Sequence, residues 1–143
     1  MKFLTILFLT IATFTNFPAN QSEVSAAESV EFAKCRMPSF SEAFDDSKTI
    51  FAGKVLSVRK EGDEKIFKFQ VEKYWKNAVR KTVEIRYYET TRYQAWLQVG
   101  GHYLVYARSS DNGTLFDGRC SLTKNYSEAK SDLKLLKKGK TPR

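Results

Sequence analysis

The sequence contains little glycine, proline, histidine and cysteine, and each shortage excludes a class of protein. Its 7 Gly and 3 Pro in 143 residues exclude a collagen-like chain and a disordered chain rich in those residues. One His and 2 Cys are too few for a conventional zinc site, which takes about three or four nitrogen or sulfur ligands. We therefore expect no metal and no cofactor. Beyond the first segment, no apolar run reaches the roughly eighteen residues of a transmembrane helix, so we expect no membrane span.

The composition is that of a single packed domain with a basic surface. Hydrophobic residues make up 42% of the chain, and 11 Phe, 7 Tyr and 2 Trp supply aromatic side chains for a core. Lys and Arg number 24 against 16 Asp and Glu, which gives a formal net charge of +8. Such a charge maintains solubility and attracts a protein to anionic surfaces and polymers.

The first 27 residues have the pattern of a secretory signal peptide. Lys2 is followed by a nearly unbroken apolar run over 3–14, which at about twelve residues is too short to cross a bilayer. Small residues at 24–27 then fit the signal-peptidase rule, with cleavage after Ala26 or Ala27. We therefore expect a secreted protein with a signal peptide at 1–27, one domain at 28–138 and a basic flexible tail at 139–143.

Cys35 and Cys120 are expected to form a disulfide, because an even number of cysteines in an oxidising compartment pairs by default. The bridge would tie the start of the domain to a point near its end. Chain-entropy theory predicts that closing so long a loop destabilises the unfolded state by about 4–5 kcal/mol, which is comparable to the total stability of a small domain. The alternative, a catalytic thiol with His102 as its base, has no flanking motif.

Alternation of apolar and polar residues predicts strands through the middle of the chain. The clearest case is the segment in which Phe67, Phe69 and Val71 alternate with polar residues. A capping box formed by Ser39 and Glu42 predicts a short helical turn before the strands. The expected strands are Thr49–Arg59 with a bulge at Gly53, 67–71, Thr82–Tyr88, His102–Arg108 and Thr114–Phe116, with turns at 61–63 and 111–113.

The C-terminal part of the chain has helical periodicity. Asn125 and Glu128 form a second capping-box pattern, and Ala129, Leu133 and Leu136 follow at the spacing of one helix face. The sequence therefore predicts a mainly β fold: a partly open, five-stranded antiparallel barrel with a short N-terminal helical turn and a C-terminal amphipathic helix.

Six short segments, in a fixed order and spacing, carry a resemblance to a known family: Cys35-x-x-Pro38, Ala43-Phe44, 51–55, 71–77, 101–107 and 120–123. They resemble the netrin-like domain of the tissue inhibitors of metalloproteinases (TIMPs), and most of all its short exported bacterial members. The resemblance spans residues 33 to about 136. The fold of that family is a five-stranded OB barrel with flanking helices, which agrees with the strand count.

The resemblance implies a non-catalytic module that docks a secreted or cell-surface protein of the metalloprotease type. In the inhibitors, an N-terminal Cys-x-Cys binds the protease zinc through the α-amine and carbonyl of its first Cys. Cys35 matches the second Cys of that motif, which pairs in the family with a Cys placed like Cys120. The docking ridge would consist of Ala33, Lys34, Cys35, Arg36, Met37 and Pro38, with help from the turn at Gly62.

Zinc chelation does not carry over simply, because Ala33 stands at the first Cys position. An amide nitrogen is not a usable zinc ligand at neutral pH, whereas an uncharged α-amine with a pKa of about 8 is. Chelation would therefore require a chain that begins at Ala33, and the predicted cleavage sites do not produce one.

A second interpretation is a basic OB domain that binds an anionic polymer, such as a cell-wall polymer, a sulfated glycan or nucleic acid. OB barrels bind extended ligands by stacking on aromatic side chains and by Lys and Arg charge. The candidate contacts are Tyr87, Tyr88, Arg92, Tyr93 and Trp96, together with Lys134, Lys137, Lys138 and Lys140.

A third interpretation, a secreted nuclease, would need clustered carboxylates to hold a metal. Asp45-Asp46 and Asp63-Glu64 are such pairs, but they also fit a helix end and a turn. No phosphate-binding loop or catalytic-triad pattern accompanies them. We therefore expect a protein without catalytic activity, monomeric, in which His102 has a structural role.

Overall fold

The computed structural model describes residues 35–90 and 94–143. The predicted signal peptide lies outside these residues, as do Ala33 and Lys34 of the predicted ridge and the candidate contacts Arg92 and Tyr93. In the two described segments, no helix combines the length and the apolar character that crossing a bilayer requires.

The chain enters the domain through helix α1, Phe40–Asp46, whose start is fixed by the predicted capping box. The Ser39 hydroxyl accepts a hydrogen bond from the Glu42 amide, and the Glu42 carboxylate accepts one from the Ser39 amide at 2.7 Å. The helix ends where the Ser47 hydroxyl donates to the Ala43 carbonyl at 2.6 Å. Both ends are therefore closed by short polar side chains, and Ala43 faces the interior.

Five strands form a barrel, as the sequence predicts, but the barrel is closed and not partly open. The ring runs in the order β1, β2, β3, β5, β4, and it closes because β4 also pairs with β1. A sixth, very short strand lies beside β4. The strands are β1 Thr49–Glu61, β2 Glu64–Lys76, β3 Thr82–Tyr88, β4 His102–Ser109, β5 Leu115–Asp117 and β6 Lys124–Asn125.

One pairing in the ring differs from the antiparallel expectation. β3 and β5 run parallel, with Arg86 opposite Phe116 and Tyr87 opposite Asp117, whereas all other pairs are antiparallel. A closed ring with an odd number of strands cannot alternate direction throughout, so at least one neighbouring pair must be parallel. The closure itself therefore requires the exception.

The long strand β1 pairs with two neighbouring strands, and the predicted bulge at Gly53 allows both pairings. Its register with β2 shifts between Ala52 and Gly53. A β-carbon at Gly53 would lie 2.5 Å from the Gln70 carbonyl oxygen, so only glycine fits there. β1 thus pairs with β2 along its whole length and with β4 over its first half.

The barrel interior holds the side chains that the alternation predicted. Phe67, Phe69 and Val71 are all at most 5% exposed. Phe67 meets the Tyr87 ring edge to face, with centroids 5.3 Å apart. Tyr87 is itself fully buried, so the prediction of Tyr87 as a surface contact is wrong. Because Tyr87 occupies an inward-facing position in the alternation of β3, its side chain lies in the barrel interior.

Helix α2, Lys130–Leu136, packs on the outside of the barrel with the predicted apolar face. Ala129 is buried, and Leu133 and Leu136 pack against the same cluster. The predicted capping box at Asn125 does not form, because Asn125 belongs to β6 and a 3₁₀ turn at Tyr126–Glu128 precedes the helix. The helix therefore starts at Lys130 without a side-chain cap.

The C-terminal tail does not match the prediction of a loose segment. Tyr74 of β2 and Lys140 exchange two backbone hydrogen bonds, each 2.8 Å long. The Trp75 indole donates to the Lys137 carbonyl at 3.1 Å. A β-carbon at Gly139 would lie 2.8 Å from the Trp75 ring, so the tail lies directly against it. The tail is fastened to the free edge of β2.

Candidate partner-binding surfaces

The predicted disulfide between Cys35 and Cys120 is present. Its sulfur atoms are 2.05 Å apart and the two Cα atoms 5.6 Å apart. Cys120 is exposed and Cys35 is half-buried, so the bridge lies at the surface of the domain. It fastens the segment immediately before α1 to the segment that follows β5.

The described part of the predicted ridge is the segment Cys35–Pro38, which we call the disulfide ridge. Arg36 is exposed, and its guanidinium lies 2.6 Å from the Glu42 carboxylate. Met37 is 54% exposed, which is high for a large apolar side chain. The ridge is thus bound covalently at one end and joins the capped start of α1 at the other.

Glu42 links the ridge to α1. Its carboxylate accepts hydrogen bonds from the Ser39 amide and from Arg36. The Ser39 amide, with Arg36 next in effect, lowers the pKa of Glu42 to about 2. The carboxylate is therefore ionised across the ordinary pH range, and the contact between ridge and helix persists.

A depression lies beside the bridge. A small cavity of about 40 Å³ is next to Pro38, Tyr106 and Cys120 and has room for only a few atoms. The depression carries charges of both signs with an excess of acidic groups. It is lined by Arg36, Pro38, Glu42, Asp45, Asp46 and Cys120.

A buried polar network supports the bridge from inside the barrel. The Asp117 carboxylate accepts hydrogen bonds from the Tyr87 hydroxyl at 2.7 Å and from the Thr123 hydroxyl. Burial raises the pKa of Asp117, and these hydrogen bonds oppose that shift. Because Thr123 lies three residues after Cys120, the network holds the Cys120 segment to the barrel. The sequence pattern gave no sign of it, since an Asp before Gly118 also fits an ordinary turn.

Gly62 lies apart from the disulfide ridge in the fold. It forms the tip of the β1–β2 hairpin with a φ of 58°, and it is not among the residues that line the depression. The structure therefore brings Cys35, Arg36 and Pro38 together with Cys120, but it does not add Gly62 to that group.

The outer face of β1, β2 and β3 carries a balanced network of ion pairs. Arg59 forms two hydrogen bonds with Glu84, at 2.7 and 3.0 Å, and Arg86 lies 2.6 Å from Glu64. Glu61 contacts both arginines. Hydrogen bonding to Arg59 lowers the pKa of Glu61 and of Glu84. The two arginines are thus neutralised by the three glutamates of the network, but exposed Lys54, Lys60 and Lys68 add positive charge to the same strands.

The four lysines predicted to bind polymer lie together at the C-terminal end. We call them, with Lys130, the basic face. Each is exposed, and none forms an ion pair with any residue of 35–90 or 94–143. The face comprises Lys130 and Lys134 on α2 and Lys137, Lys138 and Lys140 after it.

Of the exposed aromatic candidates, Tyr88 lies far from the basic face. Tyr88 is 60% exposed, but it pairs with Glu64 at the start of β2. Ten residues of strand, roughly 30 Å, separate Glu64 from Tyr74, where the tail is attached. Trp96, also exposed, packs edge to face on Tyr103 at 5.4 Å.

The titratable residues proposed for a metal-dependent nuclease and for a catalytic thiol with a histidine base are dispersed in the fold. Within the described segments, no three His, Cys, Asp or Glu residues are grouped so that they could hold a metal. Asp45 and Asp46 end α1, whereas Glu64 is paired with Arg86 on the hairpin. The His102 ring stacks on Tyr126 with centroids 4.2 Å apart, and its Nε2 lies 3.1 Å from Glu72.

No protein-family model matches this chain, and no curated protein matches it.

Proposed function

We propose that the chain is an exported, non-catalytic binding module that docks a partner protein through the disulfide ridge. The observation that carries the proposal is Met37, an exposed apolar side chain on a segment fastened by a covalent bridge. Protein interfaces bury such anchors at their centres, and a fixed backbone lowers the entropy cost of binding.

The surroundings of Met37 suggest the polarity of the partner. Arg36 is already satisfied by Glu42, whereas Asp45 and Asp46 at the rim of the depression are exposed. A partner surface with an apolar pocket and basic residues at its edge would complement this arrangement. The netrin-like resemblance supplies the class of partner, a secreted or cell-surface metalloprotease.

Docking in this proposal does not depend on zinc chelation. Chelation needs an α-amine at Ala33, and cleavage at the predicted sites leaves five or six residues before it. N-terminal sequencing of the exported chain distinguishes the two modes. A chain that starts at Ala27 or Glu28 docks through the ridge alone, whereas a chain that starts at Ala33 has a free amine available for zinc.

A pair of matched variants tests the proposal. The purified protein is assayed for binding and inhibition against a panel of secreted zinc proteases, as wild type, Met37→Ala and Leu135→Ala. Leu135 is 58% exposed on α2, so its truncation removes a similar apolar area elsewhere. Loss of a buried Met contact of about 1.5–3 kcal/mol weakens binding about 10-fold to 100-fold.

The expected result is that Met37→Ala weakens binding to a responsive protease by that factor and Leu135→Ala leaves it unchanged. Two results would contradict the proposal: no protease in the panel responds to the wild type, or the two variants bind equally well.

A further inference from the structure

The positive charge of this protein is concentrated in its last 26 residues. Residues 118–143 contain eight Lys and Arg and two Asp and Glu, so they hold +6 of the net +8. One of the two acids, Asp132, is buried and bound by Lys124 at 2.9 Å and by the Tyr106 hydroxyl at 2.8 Å. It is therefore not available to neutralise the surface.

Helix α2 turns its cations outward because its other face is used for packing. Ala129, Leu133 and Leu136 lie against the barrel. Lys130 and Lys134, one turn apart, are exposed on the other side. Their ammonium groups point to solvent without a carboxylate partner in the described residues.

The tail adds cations at fixed positions. Lys140 is held by two backbone hydrogen bonds to Tyr74, and the carbonyl of Lys137 is held by Trp75. Gly139 lies flat against the Trp75 ring between them. The backbone that carries Lys137, Lys138 and Lys140 is thus ordered by the fold, so a ligand does not have to order it on binding.

We propose that the basic face is a docking surface for a flexible polymer with closely spaced phosphate groups. This site goes beyond the disulfide ridge and does not depend on it. Lysines bind such groups as point charges, so recognition depends on charge density and not on a bidentate geometry. The negative groups of a flexible chain can follow the spacing of the five lysines.

The surroundings favour a polymer without bases over single-stranded nucleic acid. Binding of bases requires exposed aromatic rings beside the charges. Trp75, the aromatic side chain at the tail, is covered by Gly139 and uses its indole N–H for the Lys137 carbonyl. Tyr88 is at the far end of β2. The basic face therefore offers charge without stacking.

The test measures binding of long-chain inorganic polyphosphate and of heparin at several salt concentrations. One variant carries Lys134→Gln, Lys137→Gln, Lys138→Gln and Lys140→Gln. The control carries Lys54→Gln, Lys60→Gln, Lys68→Gln and Lys81→Gln, four exposed lysines on the barrel strands and the turn before β3, so both have the same net charge.

The first variant should bind polyphosphate at least about tenfold more weakly at low salt, and its slope of log affinity against log salt should fall by about 3. The control variant should keep most of the affinity and most of the slope. Tighter binding of polyphosphate than of heparin is expected, and the reverse preference would overturn the choice of a phosphate polymer. Equal losses in the two variants would overturn the site, because only net charge would then matter. Tighter binding of single-stranded DNA of equal charge would overturn the choice of a polymer without bases.

A third variant keeps every charge but moves the tail. Gly139→Ala places a methyl group 2.8 Å from the Trp75 ring, so the tail or the ring against which it packs must shift. We expect affinity for polyphosphate to fall severalfold without a change in net charge. Unchanged affinity would overturn the claim that the ordered arrangement of the tail contributes to binding.

Discussion

The two ends of this domain are fastened to the barrel by different means. The N-terminal ridge is held by a covalent bond, Cys35–Cys120, and by the capped start of α1. The C-terminal tail is held by hydrogen bonds to Tyr74 and by contact with Trp75. The first end presents an apolar side chain beside acidic groups, and the second presents only cations. Reduction of the disulfide should therefore loosen the N-terminal ridge, whereas added salt should weaken ligand binding at the C-terminal tail.

The largest expected effect comes from removing the bridge. Cys35→Ser together with Cys120→Ser should lower the free energy of unfolding by about 4 kcal/mol, because the unfolded chain regains the entropy of a long loop. Denaturant unfolding measures this loss. Polyphosphate binding by the folded fraction should remain, and if it disappeared with the bridge, the two ends would not be independent.

The next effect comes from the network behind Cys120. Asp117→Ala removes the carboxylate that accepts hydrogen bonds from the Tyr87 and Thr123 hydroxyls, which should cost about 1–3 kcal/mol. The Cys120 segment should then become more mobile, whereas the tail should not. Denaturant unfolding gives the first result and amide exchange the second. Equal mobility of both segments would contradict the comparison.

The same carboxyl predicts a pH dependence. Because burial raises the pKa of Asp117 in the folded state, its contribution to stability is fully present below its unfolded pKa of about 3.9. That contribution is lost as the pH rises toward the folded pKa. The stability advantage of wild type over Asp117→Ala should therefore shrink above about pH 4. Urea unfolding at several pH values measures it, and a constant difference would refute the shift.

A smaller effect concerns the helix that continues the ridge. Ser39→Ala removes the N-cap of α1 and should lower the free energy of unfolding by about 1 kcal/mol. Ser41→Ala, at an exposed position inside the same helix, is the control and should be nearly neutral. If both variants lost the same free energy of unfolding, the loss of the N-cap would not be the cause of the destabilisation.

The smallest effect is expected at the tail. Trp75→Phe keeps an aromatic ring but removes the hydrogen bond to the Lys137 carbonyl, a loss of about 0.5–1.5 kcal/mol. Thermal unfolding should show a small decrease, and Lys140 should exchange its amide hydrogen faster. Trp96→Phe, in the loop before β4, is the control, and its Lys140 exchange should equal that of the wild type.

Local patterns in the sequence were sufficient for the parts of the fold that depend on neighbouring residues. The alternation around Phe67, the capping box at Ser39 and the bulge at Gly53 are each encoded within a few positions. The disulfide followed from having only two cysteines. For these reasons the barrel, both helices and the bridge were predicted correctly.

The parts that depend on distant contacts were not predicted. The local sequence predicts that Asn125 caps a helix, but its pairing with Tyr103 of β4 places it in a strand. The tail becomes ordered only because the edge of β2 near Tyr74 is free to pair. The sequence allows Tyr87 either as a core side chain of an alternating strand or as a surface contact for a ligand. Its packing against Phe67 places it in the core.

The most direct test of the difference between the two ends is amide hydrogen exchange before and after reduction by a small-molecule reductant. Two amides report on them: Ala43, which donates to the Ser39 carbonyl at 3.0 Å, and Lys140, which donates to the Tyr74 carbonyl at 2.8 Å. Reduction should speed exchange at Ala43 by about tenfold or more and at Lys140 by a clearly smaller factor, because Lys140 feels only the loss of global stability. Equal protection of Ala43 in both states, or equal acceleration at both amides, would contradict the account.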